Sequence, residues 1–164
     1  MKKEVEKLLQ YVQKPARYIG GELNAVVKDK DKIDIRYAFC FPDTYEIGMS
    51  HLGMKILYGL VNDREDSWCE RVFAPDNDME EQLRKNNVPL FALESGDYIK
   101  DFDMIGFTLQ YELSYTNVLN MLNLAQIPLK SSDRESLTPL ICVGGPCACN
   151  PEPITDFVDI VFLG

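Results

Sequence analysis

No apolar run in this sequence is long. The longest, such as Asp159-Ile160-Val161-Phe162-Leu163, are strand-sized and far short of the roughly 20 residues that cross a bilayer, so no membrane segment is expected. No secretory leader is expected either: Met1-Lys2-Lys3-Glu4-Val5-Glu6-Lys7 starts basic, but charge interrupts the apolar positions that follow. A cytoplasmic chain is the expectation. Basic residues form no stripe. Lys28, Lys30, Lys32, Arg64, Arg84 and Lys85 are scattered through a chain of formal net charge -9, which argues against direct nucleic-acid binding.

Several catalytic signatures are also absent. There is no Gly-x-Gly-x-x-Gly after the first predicted strand and no Gly-x-x-x-x-Gly-Lys phosphate loop, which sets aside dinucleotide and P-loop chemistry. No Gly-x-Ser-x-Gly elbow occurs. His51 is the only histidine, and Cys142, Cys147 and Cys149 lack paired C-x-x-C spacing, so zinc or a cluster is the minority reading of those cysteines. Loop packing suits Cys147-Ala148-Cys149 better, with redox sensing as the outside alternative. Five cysteines are an odd number, and Cys40 and Cys142 sit in apolar runs, so reduced thiols are expected.

What is present belongs to a folded domain. At 164 residues, with 46% apolar and 26% charged residues, the chain has room for one buried core. Val5, Leu8, Leu9 and Val12 have the spacing of one helical face, closed by Pro15. A glycine loop, Arg17-Tyr18-Ile19-Gly20-Gly21-Glu22, and a charged run, Lys28 to Lys32, read as solvated connections. Ile33 to Phe41 predicts a strand, and Met49, Leu52, Ile56 and Leu60 predict a helix from about Ser50 to Asn62 packed through that face. Further strands are expected at Arg71 to Ala74, Leu90 to Leu93, Met104 to Leu109, Leu140 to Val143 and Asp159 to Leu163. Helices are expected at Asp76 to Asn86 and Ser114 to Ala125, the latter with Leu119, Leu122 and Ala125 inward.

Apolar strands alternating with helices imply right-handed crossovers and a mostly parallel sheet. The expected fold is α/β, doubly wound, Rossmann-like or flavodoxin-like, flanked by helices. Ligands of such sheets bind beyond the carboxyl ends of the strands. That rule selects three loops. Pro42, Asp43 and Thr44 precede the first crossover helix, suiting either an anionic group or a capping role. Ser50, His51 and Gly53 follow; a lone helical histidine is either a ligand or structural. Thr108, Gln110 and Glu112 follow a strand and suit hydrogen bonds to ligand or backbone. Gly144, Gly145 and Pro146 either admit a flat ligand against the backbone or form a tight turn.

Taken together, Arg17 to Glu22, the run Phe41-Pro42-Asp43-Thr44-Tyr45-Glu46-Ile47-Gly48-Met49-Ser50-His51-Leu52-Gly53, Arg71-Val72-Phe73-Ala74-Pro75, Gly106 to Leu113, and Gly144-Gly145-Pro146 through Asn150-Pro151-Glu152-Pro153 resemble one family. It is that of radical S-adenosylmethionine (SAM) proteins carrying a cobalamin-binding-like amino-terminal domain. The resemblance implies that residues 1–30 pack on a domain of residues 31–164, followed in the parent by a radical barrel. The parent's [4Fe-4S] cluster and S-adenosylmethionine would belong to that barrel, since no Cys-x-x-x-Cys-x-x-Cys run occurs here.

One departure bears on mechanism. Better-known cobalamin domains carry Asp-x-His-x-x-Gly after the first strand, whereas here Asp43 is followed by Thr44 and Tyr45, and His51 lies eight positions on. Cobalamin would then bind without a histidine ligand, held by loops that include Gly144 and Gly145. The alternative is a scaffold that binds no cofactor, with Glu22, Glu46 and Glu112 facing the barrel. No residue of this stretch is expected to be catalytic. The expected partner is the barrel of the same chain.

Overall fold

Five parallel strands form the centre of the computed structural model, which describes residues 2–163. They are β1 (Ile35–Phe41), β2 (Ser67–Phe73), β3 (Met104–Thr108), β4 (Leu140–Gly144) and β5 (Ile160–Val161), in spatial order β2-β1-β3-β4-β5. The helices are α1 (Lys3–Leu8), α2 (Tyr45–Ser50), α3 (Leu52–Asn62), α4 (Asn77–Asn86) and α5 (Ser114–Leu124). The strand order reverses direction between β1 and β3, the flavodoxin-like arrangement expected for a doubly wound sheet. No helix among the described residues is long and apolar enough to cross a membrane.

Register divides the side chains between two faces. Ala38, Cys40, Val72, Ile105, Phe107, Ile141 and Val143 point to one face, where they share a single apolar cluster with residues of α1, α4 and α5. Val5, Leu8 and Val12 join it, so the amphipathic start of the chain closes that layer. On the other face Phe39, Phe41 and Cys69 pack with Met54 and Tyr58 of α3 in a smaller cluster. Because β2 lies on one side of β1, and β3, β4 and β5 on the other, right-handed connections put α3 on one face and α4 and α5 on the opposite one.

Four expectations need correction. The helix after β1 breaks at His51, whose backbone is extended at φ -78 and ψ 114. The break shifts the helical phase, so Met54 and Tyr58 face the sheet while Leu52, Ile56 and Leu60 are exposed. Strand β2 starts four residues earlier than Arg71, because Ser67-Trp68-Cys69-Glu70 is buried and pairs in register with β1. Leu90 to Leu93 is buried but is no ladder strand: Leu90 N donates to Leu124 O, Ala92 N to Asp97 O and Leu93 N to Arg71 O. Within the charged run, Lys28 is no solvated residue. Its Nζ donates to the carbonyls of Asn62 (2.8 Å), Arg64 and Ser67 (2.7 Å), closing the turn between α3 and β2.

The segment after α4 does something the strand reading misses: it seals the edge of β2. Glu70 and Arg71 are adjacent, point to opposite faces and are both buried. Arg71 Nε donates to Glu94 Oε1 at 2.6 Å and Nη2 to Glu22 Oε2 at 2.9 Å, while the Arg71 backbone N–H donates to Glu94 Oε2 at 2.7 Å. Burial works against the Arg71 charge, but Glu94 and then Glu22 hold its pKa above the ordinary arginine value. On the other face Glu70 pairs with Arg36 and accepts the Ser95 N–H at 2.9 Å.

Arg71→Met should strand Glu94, whose side chain is 0% exposed, without its cationic partner. The expected loss is about 3–5 kcal/mol of unfolding free energy, read as a lower urea midpoint at unchanged slope.

Candidate functional site

The three loops chosen from the sequence meet at the carboxyl end of the sheet, on either side of the β1/β3 switch point. Side-chain hydrogen bonds join the loops after β1 and β3. His51 Nε2 lies 3.1 Å from Gln110 Oε1, and Gln110 Nε2 donates to Thr108 Oγ1 at 2.6 Å. Tyr111 donates its hydroxyl to Asp43 Oδ2, and Asn117 Nδ2 donates to the Pro42 carbonyl at 2.9 Å. The bond to Asp43, with burial adding, raises the Tyr111 pKa.

His51 is engaged at both ring nitrogens. Its Nδ1 accepts the Met54 N–H at 3.1 Å, capping α3, while Nε2 faces Gln110. This fixes the ring between helix and loop. Thr44 stands at the N-cap of α2 without a side-chain capping bond, and Asp43 Oδ1 accepts the Thr44 N–H at 2.7 Å. Ser50 donates back to the Ile47 carbonyl at 2.7 Å, and Gly53 lies beside the His51 ring.

The glycine pair has a packing role on the β3 side. Gly145 has φ 99 and ψ 179, a conformation essentially restricted to glycine. A Cβ there would lie 2.9 Å from Leu109 O and 3.0 Å from both Leu109 N and Thr108 Oγ1. Leu109 N donates to Gly144 O at 2.7 Å, and Cys147 N donates back to Leu109 O at 3.1 Å, so the loops after β3 and β4 are locked backbone to backbone. Pro146 then opens a 3-10 turn, Pro146–Cys149, whose Cys147 carbonyl accepts the Tyr115 hydroxyl at 3.1 Å.

Residues that sequence reasoning did not single out do much of this joining. Tyr111 and Asn117 tie the loop after β3 and helix α5 to the loop after β1. Of the glutamates expected near the loops, Glu22 binds Arg71 and accepts the Tyr45 hydroxyl at 3.0 Å, Glu46 pairs with Arg17, and Glu112 is exposed. The signal that was available for Arg71 is the adjacent pair Glu70-Arg71 inside an otherwise apolar strand.

Among the described residues no group of three or more His, Cys, Asp or Glu side chains is placed to hold a metal ion. All five cysteines are free thiols, with Cys40, Cys69 and Cys142 buried and Cys149 exposed. Around the stitched loops the apolar residues Ile47, Leu52, Tyr111 and Leu113 are exposed, interspersed with the exposed Glu46, Ser50 and Glu112.

Residues 53–164 match the family model for the N-terminal region of radical SAM proteins, more than half of the chain. The chain belongs to that family. It is also 27% identical over 128 residues to an uncharacterized protein of Methanocaldococcus jannaschii, an alignment covering 77% of this chain and 23% of the relative. The aligned segment therefore spans less than a quarter of the length of that relative. No solved structure matches. The matched region takes in β2, β3, β4 and β5 of the sheet described above.

Two measurements follow from the loop geometry. Gly145→Ala should cost about 3 kcal/mol, whereas Gly144→Ala, whose added methyl meets Phe162 Cβ at an ordinary 3.6 Å, should cost under about 1 kcal/mol; urea unfolding of both variants compares them. Burial pushes the Cys142 thiol up to about 11, with Asp159 adding, and raises Cys40 and Cys69 well above the usual thiol range. Raised thiol pKa values keep these groups protonated, so site-resolved alkylation at pH 8–9 should modify Cys149 and leave Cys40, Cys69 and Cys142 intact until the protein unfolds.

Proposed function

We propose that this domain is a cap: its carboxyl-end loops, bound to one another and rimmed by Ile47, Leu52, Tyr111 and Leu113, lie against the mouth of the radical barrel in the same chain. The observation that carries the reading is the bridging of those loops by His51–Gln110–Thr108 and Tyr111–Asp43. Such bonds make a pre-formed surface, and an exposed apolar rim on a pre-formed surface is the kind that protein partners bury. Chemistry in the intact protein would be reductive cleavage of S-adenosylmethionine at the barrel's cluster, with this domain limiting access of water and competing reactants.

Cobalamin fits these residues poorly. A corrin bound in the histidine-ligated mode needs an imidazole free to reach cobalt, and both His51 nitrogens are engaged. A corrin bound without that ligand needs open backbone at the glycine pair. The space a Gly145 Cβ would take is already bounded by the Leu109 backbone. On this reading the domain is a scaffold at this edge rather than a corrin site.

In the full-length protein, Leu52→Glu/Leu113→Glu should change the rate of reductive S-adenosylmethionine cleavage by about tenfold at unaltered iron and sulfide content, while Leu137→Glu, on an exposed loop, leaves it alone. Equal rates in both variants would dismiss the cap. Hydroxo- or methylcobalamin added to high micromolar levels should leave the visible absorbance equal to the sum of the components; a saturable spectral shift would restore the corrin reading. The wider assignment requires a Cys-x-x-x-Cys-x-x-Cys run in the codons downstream of Gly164, and its absence would remove the radical-enzyme reading.

A further inference from the structure

The glycine run Arg17 to Glu22 has no part in the stitched loops, yet its last residue walls a cavity. Between the segment that follows Gly21 and helices α2 and α3 lies a space of ≈ 420 Å³, lined by Glu22, Val26, Met49, Met54, Tyr58 and Arg71. That size falls within the roughly 300–1,000 Å³ of clefts that take small molecules. Its walls are held in place. Glu22 Oε1 accepts the Tyr45 hydroxyl at 3.0 Å and Oε2 accepts Arg71 Nη2 at 2.9 Å. The Val26 N–H donates to the Tyr58 hydroxyl at 2.7 Å, and the Val26 carbonyl accepts Trp68 Nε1 at 2.9 Å. Gly20 and Gly21, at φ 65 and 82, turn the chain so that Glu22 reaches Arg71.

One end of the Arg71 guanidinium lacks a strong acceptor. The side chain is 9% exposed, with Nε bonded to Glu94 and Nη2 to Glu22. Among the described residues Nη1 meets only the Met49 thioether, at 3.2 Å, and a thioether is a weak acceptor. A buried guanidinium N–H in that position calls for an oxygen or nitrogen. Each Glu22 oxygen accepts one bond and keeps a lone pair. A free donor and a free acceptor therefore stand side by side on the cavity wall. Charge around them balances, with Arg71 and the exposed Lys55 set against Glu22 and Glu94, so a neutral ligand disturbs it least. The helical wall is open at Gly59, where a Cβ would meet no atom within 4 Å. Beside that bare turn lie the thioethers of Met49 and Met54, which suit contact with aromatic rings.

We propose that this cavity binds a neutral, planar nitrogen heterocycle whose edge sets a hydrogen-bond acceptor beside a donor, as the lactam edge of hypoxanthine or guanine does. The ring's acceptor takes Arg71 Nη1, its N–H goes to Glu22, and its face lies against Met49, Met54 and the turn at Gly59. An anionic ring would meet Glu22 and Glu94 around the one buried cation. A purely apolar ring would leave Nη1 without its acceptor. The cavity shares no lining residue with the bridged loops or with their apolar rim, so the assignment does not depend on the cap reading.

Isothermal titration of inosine into the full-length protein tests it. One equivalent should bind with a Kd of about 10–100 μM, the range for a nucleoside-sized ligand. Gly59→Phe places a ring in the same space, with no atom in the way of its Cβ, and should weaken binding about 30-fold or more. Its urea midpoint should stay at or above that of the unsubstituted protein, because glycine is the poorer helix residue. 1-Methylinosine lacks the N1–H donor and should bind about tenfold or more weakly than inosine. That comparison uses the unsubstituted protein, so it decides the matter even where Gly59→Phe does not fold. No saturable heat up to about 1 mM inosine would overturn the proposal. Undiminished affinity of a folded Gly59→Phe, or equal affinity for inosine and 1-methylinosine, would do the same.

Discussion

Strand β2 sits at the edge of the sheet yet is buried over most of its length, and it carries a glutamate and an arginine side by side in its middle. Neither charge is tolerable there alone. Glu70 is answered by Arg36 and the Ser95 N–H on one face, and Arg71 by Glu94 and Glu22 on the other. Apart from Arg36 of the neighbouring β1, the partners come from two distant stretches, the glycine loop near the amino terminus and the segment after α4. Pairing of this one dipeptide therefore draws both stretches onto the sheet. It also seals an edge that would otherwise expose a row of free N–H and C=O groups.

The same economy of contacts governs the carboxyl end of the sheet. A switch point between β1 and β3 leaves a crevice, and in many doubly wound proteins a ligand fills it. Here the flanking loops fill much of it with their own groups: His51 reaches Gln110, Tyr111 reaches Asp43, and the Leu109 backbone lies against Gly145. A loop edge bound together in this way is what the proposed contact with a partner domain calls for.

Membership of the radical SAM N-terminal family gives that surface a context. On the proposed reading, the domain acts through what it covers in a neighbouring domain of the same chain.

The apolar runs at β1, β3 and β4, with helical spacings between them, were enough to determine a parallel α/β sheet, and the strand-end rule picked out loops that do converge. Local pattern was enough because a strand buried on both faces must be continuously apolar. The orientation of α3 was not legible. Leu52, Ile56 and Leu60 are as regular as any inward stripe, and only the break at His51, held by its bonds to Met54 and Gln110, turns Met54 and Tyr58 to the sheet instead. Likewise Leu90 to Leu93 has a strand's composition but answers to Arg71, Asp97 and Leu124, partners that only the folded chain brings near. The glycine pair was visible as a place where backbone comes close to something; that at Gly145 this something includes the Leu109 backbone depends on two loops meeting, which no single stretch of sequence encodes.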